Sequence, residues 1–248
     1  MKSKDYEYKY KMFEYYFANK KYLYVQQLFD DVYPSVKGTP KVEDMYYKYA
    51  YASYYLKDYM NAENLFKTYA ESFPLSPKAE ECEYMRAYCY YKQSPKVELD
   101  QTATVKAMNL MQTFISNHPT STRVKEADAI ISEARQKMEI KEFKNAELYY
   151  NLGFYKAAAI ALETLSDDFP DSQKSDEYKM MVVRAYYRYA EMSIPEKQHE
   201  RFLKVLQEVT DFSDRFPDSK FLSEVTRYKT LSTNNIKNIK NEQNKASA

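Results

Sequence analysis

Tyr59-Met60-Asn61-Ala62-Glu63-Asn64-Leu65-Phe66-Lys67-Thr68-Tyr69-Ala70-Glu71-Ser72-Phe73-Pro74-Leu75-Ser76 carries the pattern that organises the whole chain. Tyr59, Ala62, Phe66 and Tyr69 stand at offsets 0, 3, 7 and 10, which is one face of an α-helix. Phe73-Pro74 ends it, because proline cannot continue the backbone hydrogen bonds. The same register returns three times. Thr104, Ala107, Met111 and Phe114 precede His118-Pro119-Thr120-Ser121. Tyr155, Ala158, Leu162 and Leu165 precede Phe169-Pro170-Asp171-Ser172. Phe202, Val205, Val209 and Phe212 precede Phe216-Pro217-Asp218-Ser219. A partial copy, Tyr22, Val25, Phe29 and Val32 with Tyr33-Pro34, comes before them.

A second helix precedes each of these, as in Met45 to Tyr55, where Ala50 sits nine residues before Tyr59. Small residue, aromatic, Ala, aromatic, apolar and Pro are the marker positions of the tetratricopeptide repeat. One helix pair cannot bury its apolar stripe alone, so neighbouring pairs stack. The expectation is an all-α tetratricopeptide-repeat α-solenoid of about five helix pairs plus a C-terminal helix, ten or eleven helices in total, with no sheet.

The repeat spacing is uneven. Tyr22 to Tyr59 is 37 residues, close to the minimal unit, and Tyr59 to Thr104 is 45, with an insertion near Gln93 to Gln101. Thr104 to Tyr155 is 51, where Ala127, Ile130, Ile131, Ala134 and Met138 keep helical spacing and predict one long helix. Tyr155 to Phe202 is 47, with an insertion around Ser193-Ile194-Pro195. Two parts are expected: residues 1–120 as N-terminal repeats with a peptide-binding groove, and 121–248 as C-terminal repeats with the long connecting helix and a tail.

Composition narrows the function classes. Lys and Arg number 37 against 36 Asp and Glu, a net charge of +1, so nothing marks a nucleic-acid surface. Lys229, Lys237, Lys240 and Lys245 against Glu242 tilt the last twenty residues to +3, which suits a solvated helix or frayed tail. Gly38 and Gly153 are the only glycines, too few for a phosphate-cradling loop. Cys82 and Cys89 on one helix lie roughly 10 Å apart. A disulfide needs Cα atoms within about 7 Å, so both are expected as small core residues. No apolar run is long enough for a membrane span. Met1-Lys2-Ser3-Lys4-Asp5 opens with charge and has no apolar export core. That fits a cytosolic protein or a mature form whose export segment has been removed, and composition does not choose.

Tyrosine is unusually frequent, with 28 copies and no Trp. Many lie on the first helix of a pair, which lines the inner surface of such repeats. Tyr47, Tyr51 and Tyr54 recur 37 residues later as Tyr84, Tyr88 and Tyr91, with Tyr10 and Phe17 in matching places at the start and Tyr186 and Tyr189 near the end. A phenol-floored groove offers large apolar area at low entropy and hydroxyls for fixing a peptide backbone. The alternative is that individual rings pack between repeats. Burying all the hydroxyls would require a partner for each.

Nothing points to an enzyme, a metal site or a cofactor. His118 fills the pre-proline slot held elsewhere by Phe and is expected to pack. His199, beside Glu200 and Arg201, is expected in solvent. Asp30-Asp31 and Asp167-Asp168 diverge around their helices, and no metal-ligand spacing, Gly-x-Ser-x-Gly or Walker pattern occurs.

With the repeats in place, Lys57-Asp58-Tyr59-Met60-Asn61-Ala62, Phe114 to Ser121 and Gly153-Phe154-Tyr155-Lys156-Ala157-Ala158 resemble the BamD family of outer-membrane assembly lipoproteins. Lys4-Asp5-Tyr6-Glu7-Tyr8-Lys9-Tyr10 is similar to its mature N-termini. The likeness runs from Asp5 to about Tyr228 and rests on the order and spacing of the motifs. It implies a non-enzymatic scaffold of five repeats on the periplasmic face of the outer membrane. The implied partners are the POTRA domains of BamA, at the C-terminal repeats, and unfolded outer-membrane β-barrel proteins, at the N-terminal ones, which suits the tyrosine floor. It implies membrane attachment only through an N-terminal lipid anchor, and Met1 stands where the family carries its lipidated Cys. Some relatives hold BamA with a basic side chain on the second helix of the fourth repeat. Here Ala157 to Leu162 carries none. Two other classes stay open: a different tetratricopeptide adaptor, in the cell envelope or as a cytosolic co-chaperone, and a tyrosine-lined surface for carbohydrate or peptide. Co-chaperone clamps need several Lys and Arg on the inner helices, where this chain has mostly Tyr.

Overall fold

The apolar face at offsets 0, 3, 7 and 10 is the buried face of a helix in every copy. In the computed structural model, Ala62, Phe66 and Tyr69 are fully buried, as are Ala107, Met111 and Phe114, Ala158, Leu162 and Leu165, and Val205, Val209 and Phe212. Val25, Phe29 and Val32 of the partial copy are buried too. The structure describes residues 6–246, with side-chain surroundings for 6–242. Met1, Lys4, Asp5 and the side chain of Lys245 lie outside the described residues.

Eleven α-helices and no strand occur among the described residues: α1 (Tyr6–Ala18), α2 (Tyr22–Val36), α3 (Lys41–Tyr55), α4 (Tyr59–Ser72), α5 (Ala79–Gln93), α6 (Thr102–Asn117), α7 (Val124–Asn151), α8 (Tyr155–Asp168), α9 (Ser175–Glu191), α10 (Pro195–Arg215) and α11 (Leu222–Ala246). They form five consecutive helix–turn–helix pairs and a final helix, the all-α tetratricopeptide arrangement. Within three of the five pairs the two helices are joined by a tight turn whose left-handed residue is Lys20 (φ 58°), Lys57 (φ 63°) or Gly153 (φ 83°). Asp58 caps α4, accepting from the Asn61 N–H at 3.3 Å.

Two compact units result, residues 1–137 and 138–248. The division falls inside α7, whereas the sequence placed it at 120/121. In the N-terminal unit, Phe13, Val25, Phe29, Val32 and Met45 make one core. Ala50, Phe66, Tyr69, Cys82, Cys89, Met111, Phe114 and Ile130 make the next. Both cysteines are free and buried. In the C-terminal unit, Leu162, Leu165, Tyr178, Val182, Phe202, Val209, Phe212 and Val225 form the core.

Two local expectations need correction. Pro34 does not end α2, which runs to Val36 and stops before Gly38 (φ 81°). A proline in the last turn removes only one terminal hydrogen bond. The extra length near Pro195 is not a longer loop, because only Met192–Ile194 separate α9 from α10. Pro195 starts α10, where its fixed φ suits the first helical position, and the added residues are helix. The insertion at 94–101 is a loop, and it explains Thr104 in an aromatic slot. The Thr104 hydroxyl donates to Gln101 Oε1 at 2.6 Å and lies 2.6 Å from the Ser94 hydroxyl. Gln101 in turn donates to the Lys96 and Leu99 carbonyls.

Each Pro-x-Ser mark proves to be a latch. Ser76, Ser121, Ser172 and Ser219 each accept a backbone N–H two residues on. Each donates to an acid on the first helix of the preceding pair: Ser76 to Glu43 (2.6 Å), Ser121 to Glu80 (2.5 Å), Ser172 to Glu139, and Ser219 to Asp176 (2.7 Å).

Candidate binding face of the N-terminal unit

Helices α3 and α5 carry the tyrosine stripe, and the structure brings five of its six rings into one ladder. Ring centroids step from Tyr47 to Tyr51 (4.8 Å), to Tyr54 (6.4 Å), across to Tyr88 on α5 (6.3 Å) and on to Tyr91 (5.6 Å). All five are half-buried. Tyr84 is the exception. It is 1% exposed, stacked on Tyr88 (5.7 Å), with Phe114 edge-on at 5.5 Å and the Arg123 guanidinium over it at 4.6 Å. Tyr84 is therefore a core residue and not groove floor. Its buried hydroxyl makes no well-aligned hydrogen bond among the described residues, and burial pushes its phenol pKa up, helped by the Glu126 carboxylate beside it.

Tyr10 and Phe17 on α1 stand apart from the ladder. Glu14, Lys48 and Asp44 form a run of ion pairs between α1 and α3. Phe17 reaches the ladder only through Tyr22 (6.0 Å) and Tyr55, which stacks on Tyr22 at 4.7 Å. Tyr10, with Lys41 Nζ over its ring at 4.8 Å, lines a separate cavity of about 470 Å³ with Tyr6, Val36 and Pro40. In the C-terminal unit, Tyr186 and Tyr189 floor a cavity of about 350 Å³ with Lys156, Lys197, Arg201 and Lys204.

The ladder's hydroxyls are largely committed, contrary to the expectation that they serve a bound backbone. Tyr47 donates to Glu81 Oε2 (2.8 Å) and Tyr51 to Glu81 Oε1 (2.6 Å), where Arg123 also donates (3.1 Å). Tyr91 donates to Glu133 at 2.7 Å. Buried phenols need acceptors, and α5 supplies one through Glu81, which the sequence did not single out. Burial disfavours the Glu81 carboxylate. The phenol hydrogen bonds and Arg123 outweigh that and hold its pKa below the ordinary value. Burial and the same carboxylate push Tyr47 and Tyr51 well up. Tyr91 is pushed up to about 12, first by its bond to Glu133, and Tyr54 to about 12 by burial. Among the described residues Tyr54 and Tyr88 carry no hydroxyl hydrogen bond, so they are the ladder rings with free donors.

Lys48, Lys78 and Arg123 on this face are paired with acids. Lys48 meets Glu14 and Asp44, Lys78 meets Asp44 (2.9 Å), and Arg123 meets Glu81. Lys78 and Lys92 lie over the rings of Tyr47 (4.4 Å) and Tyr88 (5.3 Å). The face offers aromatic edges and apolar stems, suited to an aromatic or apolar chain, and no cluster of unpaired cations that would clamp a carboxylate terminus. His118 packs on Phe114 (5.2 Å) and hydrogen-bonds Glu83 (3.0 Å). Among the described residues no group of three or more His, Cys, Asp or Glu could hold a metal ion, and no helix is long and apolar enough to cross a membrane.

Among solved structures, the TPR2AB-domain–pHSP90 complex of yeast Sti1 aligns with 92% of this chain and 98% of that chain, at 13% identity and a TM-score of 0.41. No curated protein sequence matches. The family described as YfiO, outer membrane lipoprotein, matches residues 7–160, from the first turn of α1 into α8, and so takes in the whole tyrosine ladder. With more than half of its length inside that match, the chain belongs to the YfiO (BamD) family of outer membrane lipoproteins.

Proposed function

We propose that this chain is a scaffold of the barrel-assembly machinery, without catalytic activity, on the periplasmic face of the outer membrane. Its C-terminal repeats bind the POTRA domains of BamA, and its N-terminal repeats receive unfolded outer-membrane β-barrel proteins. A lipid anchor at the N-terminus tethers it to the membrane. Family membership supports the setting. The observation that carries the client-binding part is the half-buried ladder Tyr47–Tyr51–Tyr54–Tyr88–Tyr91. Glu81 holds Tyr47 and Tyr51, Glu133 holds Tyr91, and ring contacts place Tyr54 and Tyr88 between them, so an aromatic segment meets a pre-formed surface and little ordering entropy is lost.

Two measurements test this. The periplasmic domains of BamA, immobilised, retain the full chain at micromolar concentration, and no retention refutes the scaffold assignment. A fluorescent peptide with an aromatic C-terminal strand sequence gains anisotropy with the chain. That gain is lost with Tyr54→Ala/Tyr88→Ala, while retention on BamA persists.

A further inference from the structure

Exposed large apolar side chains gather on one edge of the N-terminal unit. The α1–α2 and α3–α4 turns lie side by side there, since Tyr22 stacks on Tyr55 at 4.7 Å and Gln26 donates to Ser53 at 3.1 Å. On these two turns Leu23 (55% exposed), Tyr24 (49%), Tyr55 (49%), Leu56 (38%) and Met60 (75%) face solvent. The opposite edge, made by the turns between pairs and the start of α1, presents the Ser76 and Ser121 latches, with Leu75, Tyr6 and Tyr8 as its exposed large apolar residues. The turns of the C-terminal unit show the same preference, at Leu152, Phe154, Met192 and Ile194.

Cations are interleaved with the apolar residues. Residues 19–24 and 55–60 contain Lys20, Lys21 and Lys57 and one acid, Asp58, whose carboxylate is used as the α4 cap. The three lysines are exposed and form no ion pair among the described residues. Lys20 and Lys57 occupy the left-handed positions that Gly153 fills in α7–α8, where a side chain costs about 1 kcal/mol. Protein–protein interface cores are depleted in Lys. Tyr, Leu and Lys together are instead the signature of a bilayer interface, where the ring sits at headgroup depth and the ammonium meets phosphate.

We propose that this turn edge is a peripheral membrane contact that takes an anionic phospholipid surface, with Leu23, Leu56 and Met60 inserting between headgroups and Lys20, Lys21 and Lys57 pairing with phosphates. It rests on the lipoprotein setting, which puts a bilayer within reach, and adds a second contact to the lipid anchor. Two turns then fix the orientation of the unit on the surface, which a single flexible tether does not.

The test is co-flotation of the full, unlipidated chain with vesicles, with no partner protein present, so failure of BamA capture leaves the result unaffected. Binding is expected on vesicles of phosphatidylethanolamine with phosphatidylglycerol, and much less on phosphatidylcholine alone. Each lysine near an anionic surface contributes about fivefold in partitioning. Lys20→Gln/Lys21→Gln/Lys57→Gln therefore lowers it about a hundredfold. Leu23→Ser/Leu56→Ser/Met60→Ser removes the binding that survives high salt. Leu75→Ser on the opposite edge changes nothing, and circular dichroism checks that every variant is folded. No flotation on anionic vesicles at low salt overturns the proposal, as does an equal loss with Leu75→Ser. Edge variants that float normally but lose capture by the BamA periplasmic domains would make the edge a protein interface, which also overturns it.

Discussion

Replacing Glu81 should loosen the tyrosine ladder and cost measurable stability. Its carboxylate accepts from Tyr47 at 2.8 Å and Tyr51 at 2.6 Å, and pairs with Arg123 at 3.1 Å. Hydrogen bonds to a charged group contribute about 1.5–3 kcal/mol each. The Glu81 side chain is 33% exposed and Arg123 35%, so the lower end applies to each phenol bond, and the ion pair adds less than about 1 kcal/mol. Glu81→Ala should therefore lose about 3 kcal/mol. Glu81→Gln should lose about half as much, because its amide oxygen still accepts a phenol. Urea unfolding followed by circular dichroism reads the difference.

The pH dependence has two signed limbs. Glu81 has a depressed folded pKa, so its contribution is present above the unfolded value near 4.3 and is lost as pH falls through the folded one. Tyr47 and Tyr51 are raised, so their contribution is present below about 10 and is lost as pH climbs through their folded values. Glu81→Ala should flatten stability against pH on both sides, and tyrosinate absorbance should show two phenols ionising at lower pH. A loss under about 0.5 kcal/mol with unchanged phenol titration would refute the assignment of Glu81 as the ladder's acceptor.

Three further outcomes are expected. Lys179→Met should lose about 3 kcal/mol, because Lys179, 10% exposed, is the α9 cation for Glu208 (6%, 2.5 Å) and Asp211 on α10. Lys179→Met/Glu208→Met should recover most of that loss in a double-mutant cycle. Ser172→Ala should lose about 1 kcal/mol, as should Ser76→Ala. Their effects should add in the double variant because the latches share no partner. Lys57→Gly should raise stability by about 0.5–1 kcal/mol in thermal melts, since glycine tolerates φ 63°.

Much of the fold is legible in the sequence because a helix face is a local property. The spacing of Phe202, Val205, Val209 and Phe212 requires a common partner whatever that partner is, and all four are buried. The same logic fails for Tyr84. Its 37-residue shift from Tyr47 makes the two equivalent by position, yet Tyr47 is half-buried and Tyr84 is closed in by Phe114 and Arg123. Residues 30 or more positions away decide the difference, and no local period contains them. The acids Glu43, Glu80, Glu139 and Asp176 were hidden for a related reason. On a helix in a chain with 36 acidic residues, an acceptor for a serine looks like any solvated carboxylate. Their serines were visible only through the neighbouring prolines.

The many phenols and the near-neutral charge are linked through those acids. Tyr69 donates to Glu43, Tyr47 and Tyr51 to Glu81, Tyr91 to Glu133, Tyr178 to Glu139 and Tyr186 to Glu163. The phenol hydrogen bonds help hold the Glu43 and Glu81 carboxyls below their ordinary pKa, and Arg123 pairs with Glu81. Such a network uses up hydroxyls and charges within the protein and leaves ring surface facing outward. Client binding should therefore be carried by aromatic area. Tyr54 and Tyr88, whose hydroxyls have no partner among the described residues, allow the distinction to be made. Tyr54→Phe and Tyr88→Phe remove the hydroxyl and keep the ring, and should leave peptide affinity unchanged. Tyr54→Ala or Tyr88→Ala removes a ring contact of about 0.5–1.5 kcal/mol and should weaken binding between about twofold and tenfold. Equal losses for Phe and Ala in a peptide titration would mean that the hydroxyls hold the client backbone and the rings are passive.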